Sequence, residues 1–112
     1  MSTDHTPPAD LDTASSLADV VQYQAGAVVS RTVIKRNAGT VTAFAFDKDE
    51  GLSEHTAAFD ALVIMIEGTA EISVAGLPQR VTAGQVLRLP AGRPHALRAL
   101  TPFKMLLVMI RE

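Results

Sequence analysis

The 112-residue chain contains no cysteine and no tryptophan, and only 4% of its residues are aromatic. Without cysteine it can form no disulfide framework, no zinc–thiolate site and no cysteine nucleophile, as is usual for a cytoplasmic protein. No apolar run reaches the roughly 18 residues that a membrane-spanning helix needs. The polar, acidic N-terminus lacks the basic and apolar regions of a secretory signal. We therefore expect a cytoplasmic protein with no membrane partner.

A concentration of positive charge is also missing. The chain has 10 Lys and Arg residues against 12 Asp and Glu, which gives a net charge of −2 at pH 7. Nucleic-acid binders usually carry a strongly basic face, and no amphipathic helical pattern of ten or more residues is present for a helix-turn-helix. Neither a G-x-S-x-G serine motif nor a phosphate-binding loop occurs. The sequence thus predicts no nucleic-acid partner.

The chain instead carries short strand patterns separated by turn residues. From Ala27 onward these patterns follow one another, and residues 40–46 show the clearest alternation of period two. About eight or nine strands are predicted, which indicates an all-β sandwich or barrel. Residues 1–14 are polar and contain proline, so they are predicted to form a flexible tail. Residues 15–23 fit either a helical turn or an edge strand.

The most informative segment is GQVLRLPAGRPH, which begins at Gly84 and ends at His95. A glycine turn leads into a short apolar strand, and Pro90 and Gly92 then reverse the chain. The histidine follows three residues after Gly92. This places an imidazole at the start of the next strand, where it can point into whatever the strands enclose.

This spacing resembles the second motif of the cupin superfamily, G-x5-P-x-G-x2-H-x3-N, with Ala99 at the position of the final Asn. The resemblance extends over roughly Val28 to Ile110. It implies a double-stranded β-helix, the jelly-roll barrel of the small RmlC-like cupins, with residues 15–112 forming a single cupin barrel domain.

The resemblance also implies a metal site. In metal-binding cupins the first motif supplies H-x-H and an acidic residue, and the second motif supplies one more histidine; such a set suits one divalent Fe, Mn, Ni or Zn ion. Counting back from Gly68, His55 takes the position of the first histidine. Ala57 and Ala61 then stand where the second histidine and the acid would be. His55 and His95 remain as the ligands in this alignment, and the metal could then be absent altogether.

A second alignment takes His55 as the second histidine of the first motif. Asp60 then becomes the acidic ligand, and the metal set is His55, Asp60 and His95, the composition of a two-histidine, one-carboxylate site. This alignment requires one bulged residue before Gly68. Strand alternation favours the first alignment, because His55 and Ala61 share one face and Asp60 lies on the other.

Three further residues are candidates for a ligand pocket. Arg31 lies in an apolar strand and could bind a carboxylate or phosphate, although its stem could equally cover apolar neighbours on a solvated face. Phe59 either walls a pocket beside His55 or fills the core. Met65 is predicted to line the core or the pocket rather than to bind a metal.

Two segments, Leu62–Met65 and Met105–Met109, are apolar on both strand faces. Such strands must be covered on both faces. We therefore expect a homodimer, which is also common among cupins; the alternative is that the N-terminal segment covers the outer face.

Two functions stay open at this point. The first is metal-dependent chemistry on a small organic molecule at the mouth of the barrel. The second is binding of a small ligand without catalysis and without a physiological metal. Cupins include dioxygenases, isomerases, decarboxylases and lyases, so the fold names no reaction and the question of whether the protein is an enzyme stays open.

Overall fold

The computed structural model describes residues 10–111 in full and residues 2–5 as backbone. Within these residues, ten β-strands form two sheets, and the one helical segment is a 3₁₀ turn at Leu17–Asp19. None of the described helical structure is long and apolar enough to cross a bilayer. The strands, in chain order, are β1 (Ser2–His5), β2 (Ala27–Arg36), β3 (Gly39–Phe46), β4 (Gly51–Thr56), β5 (Asp60–Glu67), β6 (Thr69–Val74), β7 (Leu77–Thr82), β8 (Val86–Leu89), β9 (Pro94–Ala99) and β10 (Phe103–Ile110).

The two sheets pack face to face as a jelly roll, which confirms the predicted fold class. One sheet has the strand order β1-β2-β3-β10-β5-β8 and the other the order β4-β9-β6-β7. The strand beyond the predicted eight or nine is β1, which pairs with β2 in parallel. It lies inside the stretch predicted to be a flexible tail. Residues 1 and 6–9 of that stretch are outside the described residues, and its flexibility stays a prediction.

Alternating residues of both sheets point inward and form the main core. At one end of the barrel the rings of Phe46 and Phe103 stack with centroids 4.3 Å apart and an angle of 7° between their planes. Both side chains are fully buried. At the opposite end the inward residues Val74, Leu87 and Leu107 are only partly buried. We refer to the end with the stacked rings as the closed end and to the end with Val74, Leu87 and Leu107 as the open end.

A second, smaller apolar cluster lies on the outer face of the six-stranded sheet. After the 3₁₀ turn, Val20 and Val21 pack against Ala43 and Ala45 of β3, and all four side chains are buried. Of the two structures predicted for residues 15–23, the helical turn is the one that forms. The N-terminal segment thus covers part of the outer face of this sheet.

Two cationic side chains fasten this segment to the sheet. Lys104 of β10 is 5% exposed, and its Nζ donates a hydrogen bond of 2.6 Å to the carbonyl oxygen of Ala18. Arg31 of β2 donates from Nη1 to the carbonyl oxygen of Val20 at 3.1 Å. Both cations therefore bind backbone carbonyls on the outside of the barrel, where their apolar stems cover neighbouring residues.

Tyr23 completes the attachment. Its hydroxyl donates a 2.7 Å hydrogen bond to Oε2 of Glu67, and the Lys104 ammonium lies 4.8 Å from the centre of its ring. Burial raises the pKa of Tyr23 above its usual value, and the hydrogen bond and negative charge of Glu67 add to the shift. The phenol therefore stays protonated and acts as a donor throughout the neutral range.

We expect Phe103→Ala to lower the free energy of unfolding by about 3–5 kcal/mol, because it opens a cavity at the closed end of the barrel. Phe59→Ala is the matched control, since Phe59 is 38% exposed in the loop between β4 and β5 and should cost no more than about 1 kcal/mol. Denaturant unfolding of both variants measures the difference. Equal losses in the two variants would contradict the assignment of the closed end.

Candidate functional site

The pairing of β4 with β9 brings two histidines face to face at the open end. Leu52 pairs with Leu97 and His55 pairs with His95, and the register shifts between these two pairs. Residues 53–54 of β4 therefore lie opposite a single residue of β9, which is a β-bulge. Simple alternation would put Leu52 and His55 on opposite faces of the strand. The bulge turns the His55 side chain towards His95.

The turn before β9 is tied to the loop between β4 and β5. Gly92 has a φ of 76°, the left-handed conformation that the Pro-x-Gly motif predicts. Its N–H donates to the carbonyl oxygen of Ala57 at 2.9 Å. The N–H of Ala91 donates to Oδ1 of Asp60 at 2.7 Å. These two bonds fix the turn that leads into His95 against the chain that follows His55.

The two imidazoles are in direct contact. The Nε2 atoms of His55 and His95 are 3.0 Å apart, and the rings meet edge to face with centroids 4.3 Å apart. His95 is 5% exposed, whereas His55 is exposed to solvent. His95 therefore forms the buried side of the site, and His55 forms its solvent-exposed side.

The remaining ring nitrogens define the tautomers. Nδ1 of His55 lies 2.8 Å from the carbonyl oxygen of Ser53, and Nδ1 of His95 lies 3.3 Å from that of Arg93. A carbonyl oxygen only accepts hydrogen bonds, so each of these contacts favours the tautomer with its proton on Nδ1. In the neutral form of each ring, Nε2 then presents a lone pair. Two lone pairs 3.0 Å apart repel each other unless a proton or a metal cation lies between them.

Electrostatics disfavours the charged form of the buried ring. Burial lowers the pKa of His95 below its ordinary value of 6.5, and the positive charge that His55 can carry lowers it further. The bond from Nδ1 to the Arg93 carbonyl opposes this shift and is the smaller effect. At neutral pH, His95 is therefore a neutral nitrogen donor.

The histidine pair fits two ligands of a single transition-metal ion. Nitrogen ligands lie about 2.0–2.1 Å from zinc, so two of them at angles between 90° and tetrahedral are about 2.8–3.4 Å apart. Metal-bound histidines commonly donate their other ring N–H to a carbonyl oxygen, and both rings are placed to do so here. Within residues 10–111 no group of three or more His, Cys, Asp or Glu residues is placed to hold a metal. These residues would therefore supply two of the ligands of the metal ion, and other molecules would supply the remaining ligands.

Asp60, the third ligand of the alternative alignment, is not brought to the histidines. It is exposed on the outer face of β5, while its neighbour Ala61 is buried in the core at 5% exposure. A bulge does occur in β5 at Ile66, but it lies beyond Ala61 and does not turn Asp60 inward. The carboxylate instead accepts the Ala91 N–H, a contact across 31 residues that no local pattern in the sequence signals.

The three pocket candidates occupy different places. Arg31 lies on the outer face of the barrel, where the N-terminal segment covers it, and not inside the barrel. Phe59 lies in the loop after β4, and Met65 is buried in the core at 2% exposure. Met65 is four residues along β5 from Ala61, which is about 13 Å along the strand. Arg31 is thus outside the barrel and Met65 is in the core, which was one of the two places predicted for it, while the role of Phe59 as a pocket wall stays a prediction.

A cavity of about 360 Å³ opens between the edge strands β7 and β8, and the histidine pair is not among its lining residues. Its walls are Gln79–Val81 and Gly84–Leu87. The side chains with the chemistry of a site are thus at the barrel mouth, while this groove lies along the side.

The chain is similar to one protein family and to several solved structures. The family model of the cupin domain matches residues 44–110. A conserved protein of unknown function from Streptococcus pyogenes is 32% identical, with a TM-score of 0.87, over 94% of this chain and 95% of that protein. A cupin 2 conserved barrel domain protein from Leptotrichia buccalis is 39% identical, with a TM-score of 0.81, over 84% of this chain and 46% of that one.

A cupin superfamily protein from Desulfitobacterium hafniense, 23% identical, has the same fold with a TM-score of 0.87 over 93% of this chain and 95% of that protein. The search of curated proteins found no match. The family match covers more than half of the chain and includes both histidines of the site. The chain therefore belongs to the cupin domain family.

Proposed function

We propose that this cupin binds a small organic molecule at the open end of its barrel, where His55 and His95 hold one divalent transition metal. The observation that carries the proposal is the opposed pair of Nε2 atoms, 3.0 Å apart, with both Nδ1 atoms bonded to carbonyl oxygens. When both rings carry their proton on Nδ1, a lone pair of one ring faces a lone pair of the other, and a metal cation between them would bind both.

A bound ion would act as a Lewis acid and would keep open positions for the ligand. The residues of the chain have separate parts in this arrangement. His55 and His95 supply the nitrogen donors, and the carbonyls of Ser53 and Arg93 set their tautomers. Asp60 holds the turn before His95 in place through the Ala91 N–H.

A second function is favoured because, among residues 10–111, no third His, Cys, Asp or Glu joins the two histidines as a metal ligand. Without a metal, one proton shared between the two Nε2 atoms would make the pair a cation. The mouth would then bind an acidic or hydrogen-bonding metabolite directly, without metal chemistry. The two functions differ in what lies between the two nitrogens, and a metal titration distinguishes them.

We expect the chelator-treated protein to bind one Zn²⁺ or Ni²⁺ ion per chain at micromolar concentration, and His55→Gln and His95→Gln each to weaken binding at least about tenfold. Each variant removes one of two protein donors. Isothermal titration with elemental analysis measures both affinity and stoichiometry, and Mn²⁺ and Fe²⁺ are tested in the same way.

Asp60→Asn is the matched control for this titration. Asparagine keeps an oxygen that accepts the Ala91 N–H, so the turn is preserved while the charge is removed. Unchanged affinity is expected, because Asp60 lies on the outer face. A large loss in Asp60→Asn would instead support the three-ligand set. No binding of any of the four metals would overturn the metal proposal and leave the metal-free alternative.

We expect the metal-free protein to lose stability as the pH falls below about 6.5. The pKa of His95 is lowered in the folded state, so the unfolded chain takes up this proton more readily. The loss begins near the unfolded value and is complete below the lowered folded one. Thermal melting between pH 7.5 and 5 in the presence of chelator measures it.

His95→Gln should show a flatter dependence over this pH range, because the titrating ring is gone. A variant with the same slope as the unsubstituted protein would show that other groups cause the loss. Metal affinity should weaken over the same range, since a protonated imidazole cannot bind a metal.

A further inference from the structure

The inward side chains at the open end form two rows, one from each sheet. In the four-stranded sheet, the cross-strand neighbours that continue the histidine pair are His55, His95, Val74 and Leu77. In the six-stranded sheet, the corresponding neighbours are Lys35, Thr40, Met109, Ala61 and Leu89. Ala61 and Leu89 belong to the main core, so this second row also faces into the barrel.

The two rows lie at the same distance from the closed end. Gly68 lies against Phe103 there, and a Cβ added to Gly68 would be 2.7 Å from the Phe103 Cβ. Val74 is six residues beyond Gly68, and Met109 is six residues beyond Phe103. At about 3.3 Å per residue, each row is about 20 Å from this contact. The two rows therefore face each other across the mouth of the barrel.

The strand orders determine which parts of the two rows are opposed. The edge strands β7 and β8 line one cleft, so they lie on the same side of the barrel. The orders β7-β6-β9-β4 and β8-β5-β10-β3-β2 then run in the same direction across the two sheets. The apolar residues of β6 and β7 thus face those of β5 and β8. His55, on β4, lies over the other end of the second row, which holds Thr40 and Lys35.

The mouth is therefore polar on one side and apolar on the other. On the polar side Lys35 supplies an ammonium group and Thr40 a hydroxyl, and the cross-strand neighbours Thr32 and Thr42 add two hydroxyls one row deeper. On the apolar side Leu77 is 71% exposed, although its strand face points inward. A ligand that covered this side chain would gain free energy from its burial. Neither row contains an acidic residue.

We propose that the ligand of the open end is a small carboxylic acid with an apolar body. Its carboxylate lies between the histidine pair and Lys35, and its apolar part covers Leu77. This inference rests on the proposed function, because it names the class of molecule that binds at that site.

The charges and the apolar surface favour this class over others. A carboxylate oxygen is a ligand for a divalent metal ion and accepts hydrogen bonds from an ammonium group, so it fits both groups of the polar side. The proton shared by the two imidazoles in the metal-free alternative has the same positive sign and attracts the same group. A cationic ligand would be repelled by Lys35, and a wholly polar ligand would leave Leu77 uncovered.

Isothermal titration with hexanoate, butyrate and hexanamide tests the ligand class, on the Zn²⁺-loaded and on the chelator-treated protein. We expect hexanoate to bind about tenfold more tightly than butyrate, because its two additional CH₂ groups are buried against the apolar side. We also expect it to bind about tenfold more tightly than hexanamide, which has the same chain without the charge.

Two variants separate the polar side from the apolar side. Lys35→Met should reduce the preference for hexanoate over hexanamide about fivefold and leave the ratio of hexanoate to butyrate affinity unchanged. Its matched control is Lys48→Met, which removes the same charge from the exposed loop between β3 and β4 at the closed end. Leu77→Ser should reduce the ratio of hexanoate to butyrate affinity and keep the preference for the carboxylate. Its matched control is Val86→Ser, since Val86 is 62% exposed on the outward face of β8.

The metal proposal and the ligand class fail in different ways. Hexanoate binding that responds to both variants in a protein that takes up no metal would overturn the metal proposal alone. Metal binding without hexanoate binding to either form of the protein would overturn the ligand class alone. Hexanoate affinities that change no more in Lys35→Met and Leu77→Ser than in their controls would also overturn it. Circular dichroism confirms that each variant folds.

Discussion

The tight apolar packing at the closed end of the barrel compensates for the weaker packing at the open end. Phe46 and Phe103 stack between the two sheets and bury their whole side chains, and burial of a side chain of this size stabilises the fold by roughly 2–3 kcal/mol. The site end contributes less, because several of its inward residues are only partly buried. Apolar packing thus stabilises the barrel mainly at the closed end, whereas the histidine pair lies at the open end.

The site depends on a departure from regular strand geometry. A regular β4 would direct Leu52 into the core and His55 away from it, and the two imidazoles would never meet. The bulge at residues 53–54 turns His55 inward, while the turn at Gly92 delivers His95 from the other strand. Each histidine also bonds a carbonyl two residues before it, so the geometry that aims each ring also sets its tautomer.

Much of the fold and part of the site could be predicted from the sequence because their signals are local. Gly84, Pro90, Gly92 and His95 lie within twelve residues, and both glycines have positive φ as the spacing requires. The contact between His55 and His95 followed only from the family resemblance, because 40 residues separate them. Arg31 could not be placed from alternation alone. Alternation gives its face relative to Val29, but only the packing of the N-terminal segment shows that this face is outside the core.

The first two residues of β5 act on opposite faces of the sheet. Ala61 points into the barrel below the mouth, while Asp60 points outward and holds the turn that precedes His95. Replacing Asp60 would therefore act on the site only through this turn, because the carboxylate accepts the Ala91 N–H and does not reach the histidines. The position of His95 thus depends in part on a side chain of the outer face, on the other side of the sheet from the histidine pair.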